Sequence, residues 1–566
     1  MIFFPLCLRY SALMFLPTTL DEAQRLGWDA LDVILVSGDS YIDSPYIGVA
    51  VIGKMLVKAG FRVGIIAQPS PADIGRLGEP RLFWGVTAGS VDSMVANYTA
   101  LKKHRKSDDY TPGGINNRRP DRACIVYANW IRRFSKPAKP IVLGGIEASL
   151  RRIPHYDYWD DKVRRSILFD AKADFILYGM AEKSTLEFAE ALRDGKDPRA
   201  IRGLCYIAKE KRDGYIELPS YETVAADKNA FIEMFHTFYR NNDPVSAKGL
   251  CQQHGDRWLV QNPPALYAAL PELDYERAQH PFYERQGPVK ALETIRFSIS
   301  THRGCYGECN FCAIGVHEGR TIRSRSADSI VREAEQITRH PLFKGIIHDV
   351  GGPTANMYGF ECNHKLKHGA CPKKRCIFPN VCAQLPVDYR PIVDVLRRVR
   401  ALPGVKKVFV ASGIRYDMNL SDEYLCELVT HHVSGQLKVA PEHTNDFVLA
   451  KMGKPGTDAL LRFKKKFDEL SRAAGKSQFL TYYMIADHPG CTDAEMAELK
   501  RFASEKLQTN PEQVQIFTPT PSTYSTLMYY TEMDPFTREP LRVEKHLRRK
   551  EHQKDIIVRK GGHRPH

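Results

Sequence analysis

The stretch Ser298-Ile-Ser-Thr-His-Arg-Gly-Cys305-Tyr-Gly-Glu-Cys309-Asn-Phe-Cys312 decides how the chain is read. Its three cysteines stand at C-x3-C-x2-C spacing, directly after an apolar run, Ile295 to Ile299, that predicts a strand. Thiolates so spaced can wrap one loop around an iron–sulfur cubane and hold three of its four irons. The fourth iron stays open, which suits a cluster that must bind a small molecule. The plainer reading is a zinc site or three inert thiols. Zinc, however, takes four ligands, commonly from paired C-x2-C knuckles, and no nearby residue completes this set. Gly304 and Gly307 supply the backbone freedom that a tight loop needs.

Downstream of the loop, five apolar runs predict further strands, most of them ending in small or polar residues. They are Lys344–Val350 before Gly351-Gly352-Pro353-Thr354, Val405–Ala411 before Ser412-Gly413, and Gln436–Ala440 before Pro441-Glu442-His443. Gln478–Ile485 precedes Asp487-His488-Pro489-Gly490, and Val514–Thr518 comes last. Helical patterns at 328–338, 388–401, 420–432, 455–474 and 493–507 separate them. Counting the strand before Cys305, there are six βα units. Such repeats close into barrels or part-barrels whose active sites gather at the carboxyl ends of the strands.

Upstream, Asp32–Ser37, a helix over 48–59 with Gly60 as its stop, and Arg62–Ala67 form a β-α-β unit, hence a right-handed crossover and a parallel sheet. Phe83-Trp-Gly-Val, Pro140–Gly145 and Asp174–Met180 add strands. The sum is an α/β, doubly wound, Rossmann-like domain over 14–225, with its crevice at the strand carboxyl ends. Residues 226–288, helix-prone and then Pro-rich, read as a bridge to a core over 289–535 that carries a cysteine-rich insertion at 358–386. Residues 1–13 read as a dispensable extension, since Met14 offers a second start. The basic tail, 536–566, reads as a charged helix fraying into a disordered end, with an RNA-contacting arm as the sharper alternative.

The cysteine loop, with Phe311 just before its last cysteine, resembles the signature of the radical S-adenosylmethionine (SAM) enzymes. With the ordered βα units, the N-terminal domain and the run Gly352-Pro-Thr-Ala-Asn-Met357, the chain closely resembles the YgiQ-type radical SAM proteins from Met14 to about Tyr530. That resemblance implies an enzyme with a partial, TIM-like (β/α)6 barrel. It implies a [4Fe–4S] cluster on Cys305, Cys309 and Cys312, whose open iron is chelated by SAM. Reductive cleavage of SAM then gives methionine and a 5′-deoxyadenosyl radical acting on an unidentified substrate. It further implies SAM contacts at Gly351, Gly352, Ser412, Glu442 and Phe311, and a reductant such as flavodoxin or ferredoxin. Pro353 stands where the family usually carries Glu.

Val142-Leu-Gly-Gly145-Ile-Glu-Ala-Ser and Asp174-Phe-Ile-Leu-Tyr-Gly-Met look like a cobalamin-binding-type domain. Its usual loop, D-x-H-x-x-G, is absent, and Asp39-Ser-Tyr41-Ile-Asp-Ser44 stands in its place. Tyrosine is a poor stand-in for the imidazole that cobalt would take, so a scaffold without histidine-ligated cobalamin is expected.

Thirteen cysteines in 566 residues do not make a disulfide scaffold. Four of them, Cys362-x8-Cys371-x4-Cys376-x5-Cys382, suggest a second metal centre, an auxiliary iron–sulfur cluster ahead of structural zinc, with His364 and His368 as alternative ligands. Reduced surface thiols are the plain alternative. A formal net charge of +15 fits an RNA partner or simple solubility. It raises two other readings: a tRNA- or RNA-modifying methyltransferase or methylthiotransferase, and a non-enzymatic iron–sulfur or nucleic-acid-binding scaffold. No apolar stretch approaches the ~18–20 residues of a membrane span, and the N-terminus lacks the marks of a secretion signal. The expectation is a cytoplasmic protein.

Overall fold

The computed structural model describes residues 15–266, 270–372, 374–511 and 514–558. The extension 1–13 and the end of the basic tail lie outside them. The chain divides into two units: residues up to Arg296 apart from Ala100–Lys102, and those three residues with Phe297 onward.

Nine strands build the sheet of the first unit: β1 (Val33–Ser37), β2 (Val63–Ala67), β3 (Phe83–Thr87), β4 (Ile141–Leu143), β5 (Phe175–Leu177), β6 (Leu204–Ala208), β7 (Ile216–Leu218), β8 (Leu250–His254) and β9 (Arg257–Gln261). Their order is β7-β8-β9-β6-β5-β4-β3-β1-β2. The first five strands are parallel to one another, in the 2-1-3-4-5 order whose switch point lies between β1 and β3, and β6 joins β5 antiparallel. β1 and β2 are buried along their whole lengths, which is why they read as unbroken apolar runs rather than alternating ones.

The segment expected to bridge the two halves instead extends this sheet. β8 and β9 form an antiparallel hairpin that pairs with β6. Gly255 turns it in the left-handed region, φ 60°. Residues 250–254 are polar as often as apolar, and the prolines that follow at 263 and 264 outweighed them in the sequence reading.

In the second unit, β10 (Ser298–Ser300) pairs in parallel with β12 (Asp349–Gly351), and β11 (Ile346–Ile347) with β13 (Lys407–Val408). A parallel bridge, Ile414 to Val439, leads to β14 (Gln436–Glu442), which pairs with β15 (Phe479–Ala486), and that with β16 (Val514–Ile516). The six predicted strands are therefore parallel neighbours in chain order. Among the described residues the first and last do not pair, so the arrangement is an open α/β part-barrel. The first strand starts later than expected, because Ala291–Ile295 is helical. The helices fall where the pattern put them. Ser326 caps Ala327–Thr338, and a Thr492–Glu495 capping box starts Asp493–Glu505. Ile299, Ile347, Val350, Val408, Val439, Met484 and Val514 line the core.

The described part of the basic tail is packed. Its helix, Leu547–Ile557, buries Ile557 in that core and carries Lys550, whose Nζ lies 2.6 Å from Asp487 with both side chains almost fully buried. The fraying helix expected from its charge is held by this pair, a partner that composition does not show.

Candidate functional site

The cysteine loop follows the carboxyl end of β10 in the second unit. All three cysteines are half-buried. The Gly307 N–H donates to Cys305 Sγ at 3.3 Å. A Cβ on Gly307 would lie 3.2 Å from Cys305 Sγ and 3.5 Å from Cys309 Sγ, so two sulfurs close on this one glycine. Gly304, at φ 87°, would drive a Cβ to 2.4 Å from the Thr321 carbonyl oxygen. Burial pushes the Cys312 thiol far up, and the neighbouring Cys309 and Cys305 sulfurs push it further. Burial pushes the Cys305 thiol up as well, and buried thiols of this kind release their protons readily only to cations, which is how metal binding couples to deprotonation.

Among the described residues no three His, Cys, Asp or Glu side chains converge as they would on one ion. A cubane asks for something else, since each thiolate takes its own iron. The donor set and the glycine cradle fit a cluster of that kind.

Arg415 faces the loop. Its Nη1 donates to Cys309 Sγ at 3.4 Å, while Nε donates to Asp417 Oδ1 at 2.8 Å. Beyond them, Glu442 sits beside the buried Lys454, 3.9 Å from its Nζ, and burial raises the Glu442 carboxyl. Glu308, Glu442 and Asp487, none of them glycine, have φ of 45°, 69° and 64°. Strained backbone of this kind persists where the surroundings hold it, and it gathers at functional sites.

The structure brings most of the expected contact residues to this end. Gly351 has no room for a side chain, because a Cβ would meet Ser412 Oγ at 2.0 Å; at Gly352 it would meet the His302 ring at 2.6 Å. Ser412 is exposed and donates to Asp349 Oδ2 at 2.7 Å. The Phe311 ring lies edge-on to His488 at 6.4 Å. Sequence reasoning missed Arg415, Asp417, Lys454, Asp349 and His302. The signal for two of them was legible: Arg415 and Asp417 are charges placed just past Ser412-Gly413, at a strand's end.

The second cysteine group is arranged differently. A short helix, Asn363–His368, lies within the insertion. Its Lys365 is buried, donates to the Arg320 carbonyl at 2.7 Å and to Cys376 Sγ at 3.6 Å, and pairs with Glu361 at 3.1 Å. The Cys382 N–H donates to the Cys376 carbonyl at 2.8 Å, while Cys371 is exposed. An ammonium therefore already stands against Cys376.

In the first unit, the loop Asp39–Ser44 is wholly buried. The Tyr41 hydroxyl accepts from the Leu16 N–H at 3.0 Å, and its ring stacks on His280. Asp39, at the β1 end of the switch point, pairs with Arg119 at 2.6 Å and accepts from the Ser90 N–H at the β3 side. A Cβ on Gly89 would meet Asp39 Oδ1 at 2.1 Å. This mouth is filled by the chain's own groups.

Three family descriptions match the chain: "Radical SAM N-terminal" over 15–298, "Radical SAM superfamily" over 299–503, and a domain of unknown function, DUF3362, over 512–561. A UPF0313 protein of Fusobacterium nucleatum is 57% identical over 97% of this chain and 100% of its own length. One from Thermotoga neapolitana is 48% identical over 97% and 99%. Among solved structures, the radical SAM methyltransferase TsrM from Kitasatospora setae, with cobalamin and a [4Fe-4S] cluster bound, matches with a TM-score of 0.50. It is 16% identical over 87% of this chain and 77% of that one, a likeness of fold.

Proposed function

The chain belongs to the UPF0313, YgiQ-type family of the radical SAM superfamily, and on that premise we propose that Cys305, Cys309 and Cys312 hold the [4Fe–4S] cluster of an enzyme whose reaction is unassigned. The convergence of two sulfurs on Gly307 is the observation that carries the reading. When bound, the cluster supplies one electron that cleaves SAM to methionine and a 5′-deoxyadenosyl radical. The chain's own residues do the rest. Gly352 would offer its backbone to the SAM amino group, the Gly351 carbonyl beside it being already taken by the Thr301 N–H and hydroxyl; Ser412 and Glu442 would face its nucleoside, and Phe311 packs at the loop's edge. Radical SAM enzymes need a reductant, and one such as flavodoxin or ferredoxin suits this one. Anaerobic protein reduced with dithionite should produce 5′-deoxyadenosine from SAM, read by chromatography. A cluster-loaded protein that makes none would overturn the reading.

We infer that the first unit serves as a scaffold rather than a corrin site. The buried Tyr41 loop and the Asp39–Arg119 pair at the switch point support this. Cobalamin bound by the fold-similar TsrM belongs to that protein. Protein incubated with hydroxocobalamin and desalted should keep little corrinoid, measured by absorbance. Stoichiometric retention would show a site that these side chains do not exclude.

An RNA substrate, and with it a methyl- or methylthio-transfer, is the second reading. It is favoured by one feature: Arg542, Arg548, Arg549 and His552 line a cavity of 420 Å³ together with Asp493 and Glu544. If phosphates occupy it, tRNA binding weakens steeply with salt. Changing the three arginines to Gln should then flatten the log–log salt slope by about 2–3, near one per phosphate lost. An unchanged slope in the folded variant would remove RNA from this cavity. Truncating the tail is the wrong test, because it deletes the buried Lys550.

A further inference from the structure

Arg415 hydrogen-bonds a sulfur of the cysteine loop, with Nη1 3.4 Å from Cys309 Sγ. Its own backbone is clamped on both sides: the N–H donates to Asn356 Oδ1 at 2.8 Å, and the carbonyl accepts from Asn356 Nδ2 at 2.9 Å. Asp417 takes the other face of the guanidinium, at Nε and at Nη2. The side chain is about 10% exposed, so water screens its charge weakly. This is more apparatus than packing requires. A clamped backbone, a forked carboxylate and a buried guanidinium fix one N–H on one sulfur.

We propose that Arg415 is a positioning residue that sets the reduction potential of the cluster, and that Asp417 trims its effect. The inference rests on the ligand assignment proposed above. Taking up one electron makes a thiolate-bound cluster more negative. A fixed cation beside a ligand sulfur, and a hydrogen bond to it, stabilise that reduced state and raise the potential. The carboxylate of Asp417, on the far side of the guanidinium, opposes this. The two residues therefore act with opposite sign on the same quantity.

The test is a redox titration of anaerobically reconstituted full-length protein, followed by electron paramagnetic resonance. Arg415→Met should lower the midpoint by at least the equivalent of a tenfold loss in the reduced-to-oxidised ratio, about 59 mV for one electron. Arg415→Lys keeps the charge without the fork and should fall between. Asp417→Asn leaves the cation unopposed and should raise the midpoint. Opposite shifts in variants with equal iron and sulfide mark tuning, because a merely structural role moves both the same way or neither. If Arg415→Met fails to fold, the Lys and Asn variants still decide. Cluster-bearing variants with the wild-type midpoint would overturn this inference alone. A wild-type protein that assembles no cluster would overturn the ligand assignment and this inference with it.

Discussion

Alanine at Cys305, Cys309 or Cys312 should leave no measurable 5′-deoxyadenosine, with iron and sulfide content falling together. The effect should far exceed the roughly 10–100-fold that outer-shell changes cost a metal site, because each cysteine is proposed to hold its own iron and Gly307 draws two of the sulfurs into one cradle. Full cleavage by a Cys309→Ala protein would sink the assignment. The triple-alanine protein reports on the second cysteine group as well. Residual iron and sulfide would indicate an auxiliary cluster at Cys362, Cys371, Cys376 and Cys382, and residual zinc a structural site. A folded, metal-free protein would mean that the insertion orders without a metal, with Lys365 already standing on Cys376.

The largest stability change should come from Lys550→Met. Removing one partner of a buried ion pair costs about 3–5 kcal/mol, since the other charge is left uncompensated. Burial pushes the Asp487 carboxyl up to about 7, with Lys550 pulling it down. A carboxyl raised by folding contributes stability that is fully present below its unfolded value, about 3.9. That contribution is lost as pH climbs through the folded value. Without Lys550 the folded value moves higher still, so the loss continues above pH 7. Urea unfolding should therefore show the variant's deficit growing between pH 6 and 8, by at most about 1.4 kcal/mol per unit. Asp487→Asn combined with Lys550→Met should recover most of it. A deficit that is the same at both pH values would mean that Asp487 does not carry the effect.

The fold was legible where burial writes itself into the sequence. β1 and β2, covered on both faces, are unbroken apolar runs, and the part-barrel strands alternate with amphipathic helices. Strand pairs such as β8 and β9 were missed because their polar and apolar residues mix, and it is their pairing with β7 and β6 that joins them to the sheet. At the site, the cysteine loop and the glycines at 351 and 352 were visible because local geometry demands those residue types. Arg415 and Asp417 escaped because a charge next to a strand has many ordinary explanations. What singles them out is a sulfur more than a hundred positions away in the chain. Lys550 hid for the same reason, one cation in a basic run, until Asp487 gave it a partner 2.6 Å away.

That partnership has a bearing on biosynthesis. Domains form as the chain leaves the ribosome, N-terminal parts first. Asp487 emerges long before the lysine that neutralises it, and the exit tunnel still holds Lys550 when the preceding strands are free to assemble. Until Lys550 emerges, the nascent barrel carries a buried carboxyl without its partner and an uncovered apolar seat for Ile557. A product cut short before residue 550 keeps every cysteine and every glycine of the loop, yet is left in that half-finished condition. Such fragments should surface in the cell as chaperone and protease clients rather than as weakened enzymes.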